Sequence, residues 1–281
     1  MPEIVTRFAP SPTGHLHLGH AYSALFAYEA AQRAAGRFIL RIEDIDPVRC
    51  KPEFTASIYE DLSWLGLTWE EPVRKQSEHL DDYARALNKL RSLGVVYPCF
   101  CTRRNIMLEA NAAGRAPHGM GGALYPGTCR NFSHTEQVEK LAEHTTANWR
   151  LDIAKAQKMT GALMWHDQEV GMIEAKPEDF GDVVLARKDV PTSYHLSVTV
   201  DDHLQGVTLV TRGDDLFRAT DIHRLLQALL GYEVPDYHHH PLLTDDSGRR
   251  YAKRDKAVTL RSMRKAGATV NDIRQQLGDV F

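Results

Sequence analysis

The sequence of 281 residues has no long apolar segment. No run approaches the roughly 18 residues that a membrane-spanning helix needs. The start, Met1-Pro2-Glu3, is not followed by the basic and apolar regions of a secretory signal. Hydrophobic residues make up 43% and charged residues 25%, as in a typical globular protein. We therefore expect a cytoplasmic protein without a membrane partner.

An excess of positive charge is also missing. The chain has 34 basic and 37 acidic residues, and its formal net charge is −3. This balance excludes a general polycationic coat for nucleic acid, but it leaves room for a local basic face. The sequence contains no internal repeat or low-complexity tract, and its length is enough for one large or two ordinary domains.

Cysteine is scarce, and its distribution is uneven. Cys99, Cys101 and Cys129 fall in one segment, whereas Cys50 stands apart. In a cytoplasmic protein such a cluster indicates a metal site before a disulfide. The chain between Cys101 and Cys129 is polar and rich in glycine, and a segment of that composition needs something other than an apolar core to hold it.

Three thiolates fit a tetrahedral zinc site that lacks one ligand. The residues leave four candidates for that ligand, namely His118, Tyr125, His134 and water. Chemistry alone favours His118, because imidazole is a commoner zinc ligand than phenolate. The alternative is three buried thiols that act as small apolar side chains and bind no metal.

The most informative stretch runs from Arg7 to Ala31. A short apolar strand, Ile4-Val5, leads through the turn-rich run 10–14 to a helix start where His15, His17 and His20 surround Gly19. A strand, a turn and a helix start bring free backbone N–H groups and the positive end of the helix dipole to one place, which suits phosphate. A single histidine in a loop is usually a surface residue, but this combination indicates a phosphate site.

Later segments predict an α/β fold with a parallel sheet. The apolar run Arg37–Ile42 reads as a buried strand that ends in the acidic group Glu43-Asp44-Ile45-Asp46-Pro47, where such sheets bind ligands. The alternative for that acidic group is a solvated turn. Further strands are predicted at 148–152, 162–167, 182–187 and 206–212, helices at 52–65 and 77–93, and a helix capped by Thr220 that runs through Leu230 to Gly231.

Near the end of the chain, five basic side chains fall within eight positions of a polar loop, at Arg249, Arg250, Lys253, Arg254 and Lys256. A charge run of this kind is usually a solvated loop. The 28 residues after Lys253 read as two short helices with a small basic face.

Taken in order, these motifs resemble those of the class I aminoacyl-tRNA synthetases. The pattern Pro-Ser-Pro-Thr-Gly-x-x-His-x-Gly-His resembles their HIGH element, and RFAPS with LRIEDIDPVR is similar to the glutamyl and glutaminyl branch. The basic loop resembles their KMSKS element in a degenerate form, with Lys253 at the second lysine. The resemblance covers essentially the whole chain and is strongest to the glutamyl-queuosine tRNA(Asp) synthetases, which are truncated glutamyl-tRNA synthetase paralogues.

The resemblance implies a class I Rossmann-like fold with an inserted zinc-binding segment and a short helical C-terminal part. We divide the chain into residues 1–97 and 149–257 for the two catalytic halves, 98–148 for the insert and 258–281 for the last part. An anticodon-reading domain would need at least about 50 residues, so we expect none in this sequence. We also expect a monomer.

The same resemblance implies the site residues. His17, His20 and Lys253 are expected to be catalytic, and the same three with Gly19 to bind ATP, which carries Mg²⁺. The expected glutamate pocket consists of Arg7, Phe8, Ala9, Pro10, Ser11, Glu43, Tyr194 and Arg212, with Ser197 a weaker candidate. In it the two arginines take the carboxylates and Glu43 the ammonium. The expected zinc ligands are Cys99, Cys101, Tyr125 and Cys129, so the resemblance moves the fourth ligand from His118 to Tyr125.

The function that the resemblance implies is activation of L-glutamate with ATP and its transfer to queuosine in the anticodon loop of tRNA(Asp). A truncated glutamyl-tRNA synthetase that charges the tRNA 3′ end is an alternative. A small-molecule nucleotidyltransferase shares the HxGH element, but the paired arginines and Glu43 argue against it. A non-enzymatic RNA-binding paralogue would be expected to lose His20 or Lys253, and both are present.

Overall fold

The computed structural model describes residues 3–102, 124–143, 146–243 and 258–278. Its first three strands form a parallel sheet in the order β1 (Val5–Phe8), β2 (Arg37–Ile42) and β3 (Arg74–Lys75). Helix α1 (Leu18–Arg33) connects β1 to β2, and α2 (Pro52–Trp64) lies between β2 and β3. Strands β1 and β2 are almost entirely buried, and β2 reads as an apolar run for that reason.

A second sheet has four strands in the order β7 (Gly171–Glu174), β6 (Met164–Asp167), β10 (Asp236–His240) and β9 (Leu209–Gly213). All its pairings are parallel except β6 with β7. The backbone N–H of Thr208, just before β9, donates to the carbonyl of Val5 in β1 at 3.0 Å. The two sheets therefore lie edge to edge, and the strand order reverses between β1 and β9, where doubly wound sheets bind ligands.

Three further strands form an antiparallel sheet, β4 (Val96–Cys99), β5 (Asn148–Leu151) and β8 (Val184–Ala186). Helix α3 (Leu80–Ser92) contacts β4, and α6 (Tyr194–Leu204) contacts β8. Helices α4 (His134–Glu143) and α5 (Ile153–Thr160) precede and follow β5 along the chain. Strands β4 and β5 contain both predicted boundaries of the insert, at 97/98 and 148/149. The chain thus leaves this sheet on β4 and re-enters it on the paired strand β5. The division into domains remains a prediction.

Helix α7 (Ala219–Leu230) joins β9 to β10, and it corrects one prediction. Thr220 does not cap this helix, because Arg218 is the N-cap residue and makes no side-chain cap. Thr220 is buried in the first turn instead, and its hydroxyl accepts a hydrogen bond from Arg212. The predicted end at Gly231 is confirmed, since this residue has a left-handed φ of 68°.

The C-terminal part contains α8 (Leu260–Lys265) and α9 (Val270–Leu277), which confirms the two predicted short helices. Leu260, Ile273 and Leu277 are buried in the same apolar core as β1, β2, α1 and α2. The N–H of Leu260 also donates to the carbonyl of Leu16 at 2.8 Å, just before α1. None of the described helices has the length and apolar character of a membrane span.

Candidate active site

A cavity of about 560 Å³ opens at the carboxyl ends of β1, β2, β9 and β10, at the point where the strand order reverses. The described residues that the sequence assigned to glutamate and ATP all line it: Arg7, Phe8, Ala9, Pro10, Ser11, His17, Gly19, His20, Glu43, Tyr194 and Arg212. Ser197, the weaker candidate, is buried on α6 and its hydroxyl donates to the Ser193 carbonyl. Lys253 and its loop lie outside the described residues.

The start of α1 forms one wall of this cavity. His17 is the N-cap residue, and its Nδ1 accepts a hydrogen bond from the N–H of Gly19 at 3.1 Å. His20 Nδ1 accepts from the N–H of His17 at 3.2 Å. Each neutral imidazole therefore carries its proton on Nε2. A Cβ atom on Gly19 would come within 3.1 Å of the His17 ring, so glycine leaves room for that ring. This wall combines a helix N-terminus with two imidazole donors.

Arg7, on β1, is anchored by a carboxylate. Its Nε donates to Asp202 Oδ1 at 3.1 Å, and its Nη1 donates to the Thr211 carbonyl at 2.9 Å. Arg41 Nη2 donates to the same Asp202 oxygen at 2.8 Å and lies 3.3 Å from Glu43 Oε1. Arg7 is 5% exposed and Arg41 is fully buried. The fold thus supplies its own counter-ions on this side of the cavity.

The neighbouring residue, Asp201, connects the cluster of Arg7, Arg41 and Asp202 to other elements by hydrogen bonds. It accepts hydrogen bonds from Arg74 at 2.7 Å, from Gln76 at 2.8 Å and from the Tyr83 hydroxyl at 3.0 Å. These donors come from β3, the turn that follows it and α3. Because Asp201 and Asp202 are adjacent on α6, the position of Arg7 depends on the packing of these elements.

Glu43 lies at the end of β2, and its carboxyl group is buried. Burial raises the pKa of Glu43 to about 7, although the positive charges of Arg41 and Arg7 oppose the shift. The predicted partner for an ammonium group is therefore held close to its titration point.

Arg212, on β9, has a different environment, because its four hydrogen-bond acceptors are all neutral. They are His239 Nε2 at 3.1 Å, the Tyr194 hydroxyl at 3.3 Å, His223 Nδ1 at 3.2 Å and Thr220 Oγ1 at 2.5 Å. Arg212 is 6% exposed, and within the described part of the chain it has no carboxylate partner. A buried cation that opens on a cavity and lacks a counter-ion is suited to bind an anion.

The imidazoles around Arg212 are held in the neutral form. Burial, with the nearby charge of Arg212, lowers the pKa of His195 and of His239 to about 4 and the pKa of His223 well below its ordinary value. A guanidinium always donates, so His239 Nε2 and His223 Nδ1 must accept. His223 then donates through Nε2 to His195 Nδ1, 3.2 Å away.

Sequence reasoning missed the side chains that hold these arginines, namely Arg41, Asp202, Asp167, His223 and His239. One signal was available, because Arg41 is a charged residue inside the apolar run of β2. A buried charge in such a run requires a partner. The others come together only in the fold, since Asp167 and His239 lie 72 positions apart.

The cysteine cluster lies beside β4, away from the cavity lining. The sulfur atoms of Cys99, Cys101 and Cys129 are within 4.8 Å of one another. The Tyr125 hydroxyl is 3.7 Å from Cys101 Sγ and accepts a hydrogen bond from the N–H of Cys129 at 2.8 Å. Cys50 lies elsewhere, with its Sγ 3.9 Å from the Glu43 carbonyl.

The donor set of this cluster fits a tetrahedral zinc ion. A hydrogen bond from Cys129 lowers the pKa of Cys99 to about 5, with a further contribution from Arg150. The Arg150 guanidinium lies 4.0 Å from the centre of the Tyr125 ring, where it would favour a negative oxygen. Burial raises the pKa of Tyr125, so a metal would have to displace that proton. His134 is exposed at the start of α4, and His118 lies outside the described residues.

Comparisons with known proteins bear on the whole chain. The family model of the class I tRNA synthetases (E and Q), catalytic domain, matches residues 3–276. The glutamyl-Q tRNA(Asp) synthetase of Rhodobacter capsulatus is 50% identical over 98% of this chain and all of its own length. That of Nitratidesulfovibrio vulgaris is 43% identical over 95% of this chain and 83% of its length. The glutamate–tRNA ligase of Aquifex aeolicus is 39% identical over 95% of this chain but 55% of its own length.

A solved structure gives the same picture of the fold. The glutamate tRNA ligase of Elizabethkingia meningosepticum, determined in complex with its amino acid, superposes with a TM-score of 0.75 at 28% identity. The match covers 95% of this chain and 53% of that one, so the chain spans about half the length of this ligase. The predicted α/β fold with a parallel sheet is confirmed, and the zinc-binding character of the insert stays a prediction.

Proposed function

We infer the function from one premise: the chain belongs to the class I tRNA synthetases of the E and Q type, within the group of the glutamyl-Q tRNA(Asp) synthetases. It is a class I ligase. On this premise we propose that it activates L-glutamate with ATP and transfers the glutamyl group to queuosine in the anticodon loop of tRNA(Asp). The observation that carries the choice of glutamate is Arg212, a buried cation with neutral partners that opens on the same cavity as Arg7 and Glu43.

Glutamate has two carboxylates and one ammonium group, and the cavity offers complementary charges. Arg7 and Arg212 come from strands on the two sides of the switch point, so they can bind carboxylates at two ends of one ligand. Glu43 supplies the carboxylate for the ammonium. The walls at Phe8, Ala9 and Pro10 and the hydroxyl groups of Ser11 and Tyr194 complete the proposed pocket.

Activation requires no nucleophile from the protein. A carboxylate oxygen of glutamate attacks the α-phosphorus of ATP, the bond to the β-phosphate oxygen breaks, and pyrophosphate leaves. The protein positions the reactants and stabilises the charge that builds on the phosphate. We assign this role to the Nε2–H groups of His17 and His20 and to Lys253, with Gly19 leaving room at the helix start. Mg²⁺ bound with ATP would neutralise further phosphate charge.

Lys253 can be tested against its neighbour in the same loop. The Lys253→Ala substitution should lower the rate of glutamate-dependent ATP–pyrophosphate exchange by roughly 10²- to 10³-fold. This is the typical effect of removing one preorganised donor to developing charge. The loss should fall on the rate more than on the KM for glutamate. Arg254→Ala is the matched control, and a severe loss there with a mild loss at Lys253 would place the KMSKS-like element one residue later.

The acceptor is tested by transfer of labelled glutamate. We expect transfer to tRNA(Asp) that contains queuosine and none to the same tRNA with unmodified guanosine at that position. Removing only the 3′-terminal adenosine of the queuosine-containing tRNA should leave transfer intact. Transfer that requires that adenosine and ignores queuosine would instead favour charging of the 3′ end.

We also propose one structural zinc ion held by Cys99, Cys101, Cys129 and Tyr125. Its support is the convergence of three sulfur atoms and a phenol oxygen beside β4. Metal analysis of protein purified without added zinc should find about one ion per chain. Cys129→Ser should lose the ion and lower the melting temperature, whereas Cys50→Ser should do neither. Wild-type protein without zinc, and a Cys129→Ser variant of unchanged stability, would reject the site.

A further inference from the structure

Arg212 is held in place by a chain of groups that extends beyond the cavity. Its Nε donates to His239 Nε2 at 3.1 Å, and His239 Nδ1 lies 2.8 Å from Asp167 Oδ2. Asp167 ends β6, and His239 lies in β10, the strand next to β9. The side chains of Asp167 and His239 are each 1% exposed. Neither residue lines the cavity, so neither touches a ligand there.

Arg212 and Asp167, at the two ends of this series of groups, determine the direction of its hydrogen bonds. Arginine only donates, so His239 Nε2 must accept and its proton must be on Nδ1. That proton is donated to Asp167, whose carboxylate also accepts from the N–H groups of Glu169 at 3.0 Å and His239 at 3.2 Å. Burial alone would raise the pKa of Asp167, but these hydrogen bonds keep it below its ordinary value. The carboxylate is therefore an acceptor and cannot act as a donor.

We propose that His239 is a positioning residue for Arg212 and that Asp167 sets the tautomer of His239 that the role requires. The neutral ring orients the guanidinium without neutralising its charge, which stays available to a carboxylate in the cavity. This inference deepens the proposed function, because it concerns how the proposed glutamate site is held. A carboxylate in direct contact with Arg212 would orient it equally well but would compete with the ligand.

The protein contains a matched control for this pair. His166 and Asp236 lie on the same two strands, with His166 Nδ1 3.2 Å from Asp236 Oδ1. Their side chains are 42% and 55% exposed, and neither lines the cavity. Asp167→Asn and Asp236→Asn therefore make the same chemical change in a carboxylate–imidazole pair. Only the first change should affect Arg212.

The first measurement is the kinetics of ATP–pyrophosphate exchange. In Asp167→Asn the amide can donate to His239 Nδ1, which would move the ring proton to Nε2, opposite the Arg212 N–H. We expect the KM for glutamate to rise about tenfold or more while the KM for ATP changes less than about twofold. Asp236→Asn should match the wild type. His239→Gln can still accept from Arg212 and donate to Asp167, so it should stay within about threefold of the wild type.

The second measurement reads the tautomer directly and needs no activity. Nitrogen-15 NMR of histidine-labelled wild-type protein should show the His239 proton on Nδ1, and Asp167→Asn should move it to Nε2. A wild-type proton on Nε2, or equal changes in the KM for glutamate and for ATP, would overturn the proposal. If wild-type protein exchanged no pyrophosphate with glutamate, the proposed function would fail, whereas the NMR result would still decide the tautomer.

Discussion

Arg7 and Arg212 are two buried arginines that line one cavity, and they are held in opposite ways. Arg7 is 5% exposed and paired with the carboxylate of Asp202, which Arg41 shares. Arg212 is 6% exposed, and its acceptors are two imidazoles and two hydroxyl groups. The fold has therefore given the first arginine part of a shared carboxylate, whereas the second has neutral partners alone among the described residues.

The difference has an energetic consequence. A buried charge without a counter-ion costs several kcal/mol even after the protein relaxes. Hydrogen bonds to four neutral acceptors offset part of this cost for Arg212, and a bound carboxylate would offset more. Ligand binding should therefore depend most on Arg212, whereas the stability of the free protein should depend most on Arg7.

The largest expected effect is the loss of activity in Arg212→Gln. Removing one partner of a buried charge pair between protein and ligand costs about 2–5 kcal/mol, so kcat/KM for glutamate in pyrophosphate exchange should fall by about 30-fold or more. The free protein should keep its stability to within about 1 kcal/mol, because removing a buried charge that has no described counter-ion offsets the loss of its four hydrogen bonds. A loss below about tenfold would show that Arg212 does not carry the binding.

The next effect is the loss of stability in Arg7→Gln. This change leaves the buried Asp202 with Arg41 as its remaining cationic partner. We expect the free energy of unfolding to fall by about 2–3 kcal/mol, as for loss of a buried charged hydrogen bond. Urea unfolding of the two glutamine variants, measured side by side, checks this. If Arg212→Gln is the less stable of the two, the proposed difference between the roles of Arg7 and Arg212 is wrong.

The smallest effect is a pH dependence that belongs to the Arg7 side. Burial raises the pKa of Glu43 to about 7. Below that pH the carboxyl group is protonated and cannot pair with the ammonium of glutamate, so affinity should rise with pH through about 7 and then level off. On the Arg212 side, the pKa of His239 is lowered to about 4, so that side should add no dependence in this range.

Calorimetric titration with glutamate, without ATP, measures this dependence without interference from phosphate titration. Well below the pKa of Glu43, the Kd should change about tenfold per pH unit. The control is Glu43→Gln, which should bind more weakly and without this step. A wild-type Kd that is constant across neutral pH would show that Glu43 does not pair with the ammonium.

The sequence predicted the parts of the fold and site whose signals are local. Strands such as Arg37–Ile42 are recognisable in the sequence as apolar runs, and Gly231 marks a helix end. The cavity residues from Arg7 to Ser11 and the histidines around Gly19 were predicted because they form contiguous motifs with a family resemblance. These positions do line one cavity, although their roles stay predictions.

What the sequence did not predict depends on contacts between distant elements. Asp202 meets Arg7 across 195 positions, and no spacing rule connects them. The residue type of Thr220 favours a helix cap, but its hydroxyl accepts a hydrogen bond from Arg212 instead. The antiparallel β4–β5 pairing has no local signal either, since it joins strands about 50 residues apart.

We propose that this cavity recognises glutamate by the charge of its carboxylates. The most direct test compares ATP–pyrophosphate exchange supported by glutamate with that supported by glutamine, which has nearly the same shape but a neutral side-chain amide. We expect glutamate to be preferred by about 30-fold or more in kcat/KM, because glutamine leaves one buried arginine without an anion. Exchange supported equally well by glutamine would contradict it.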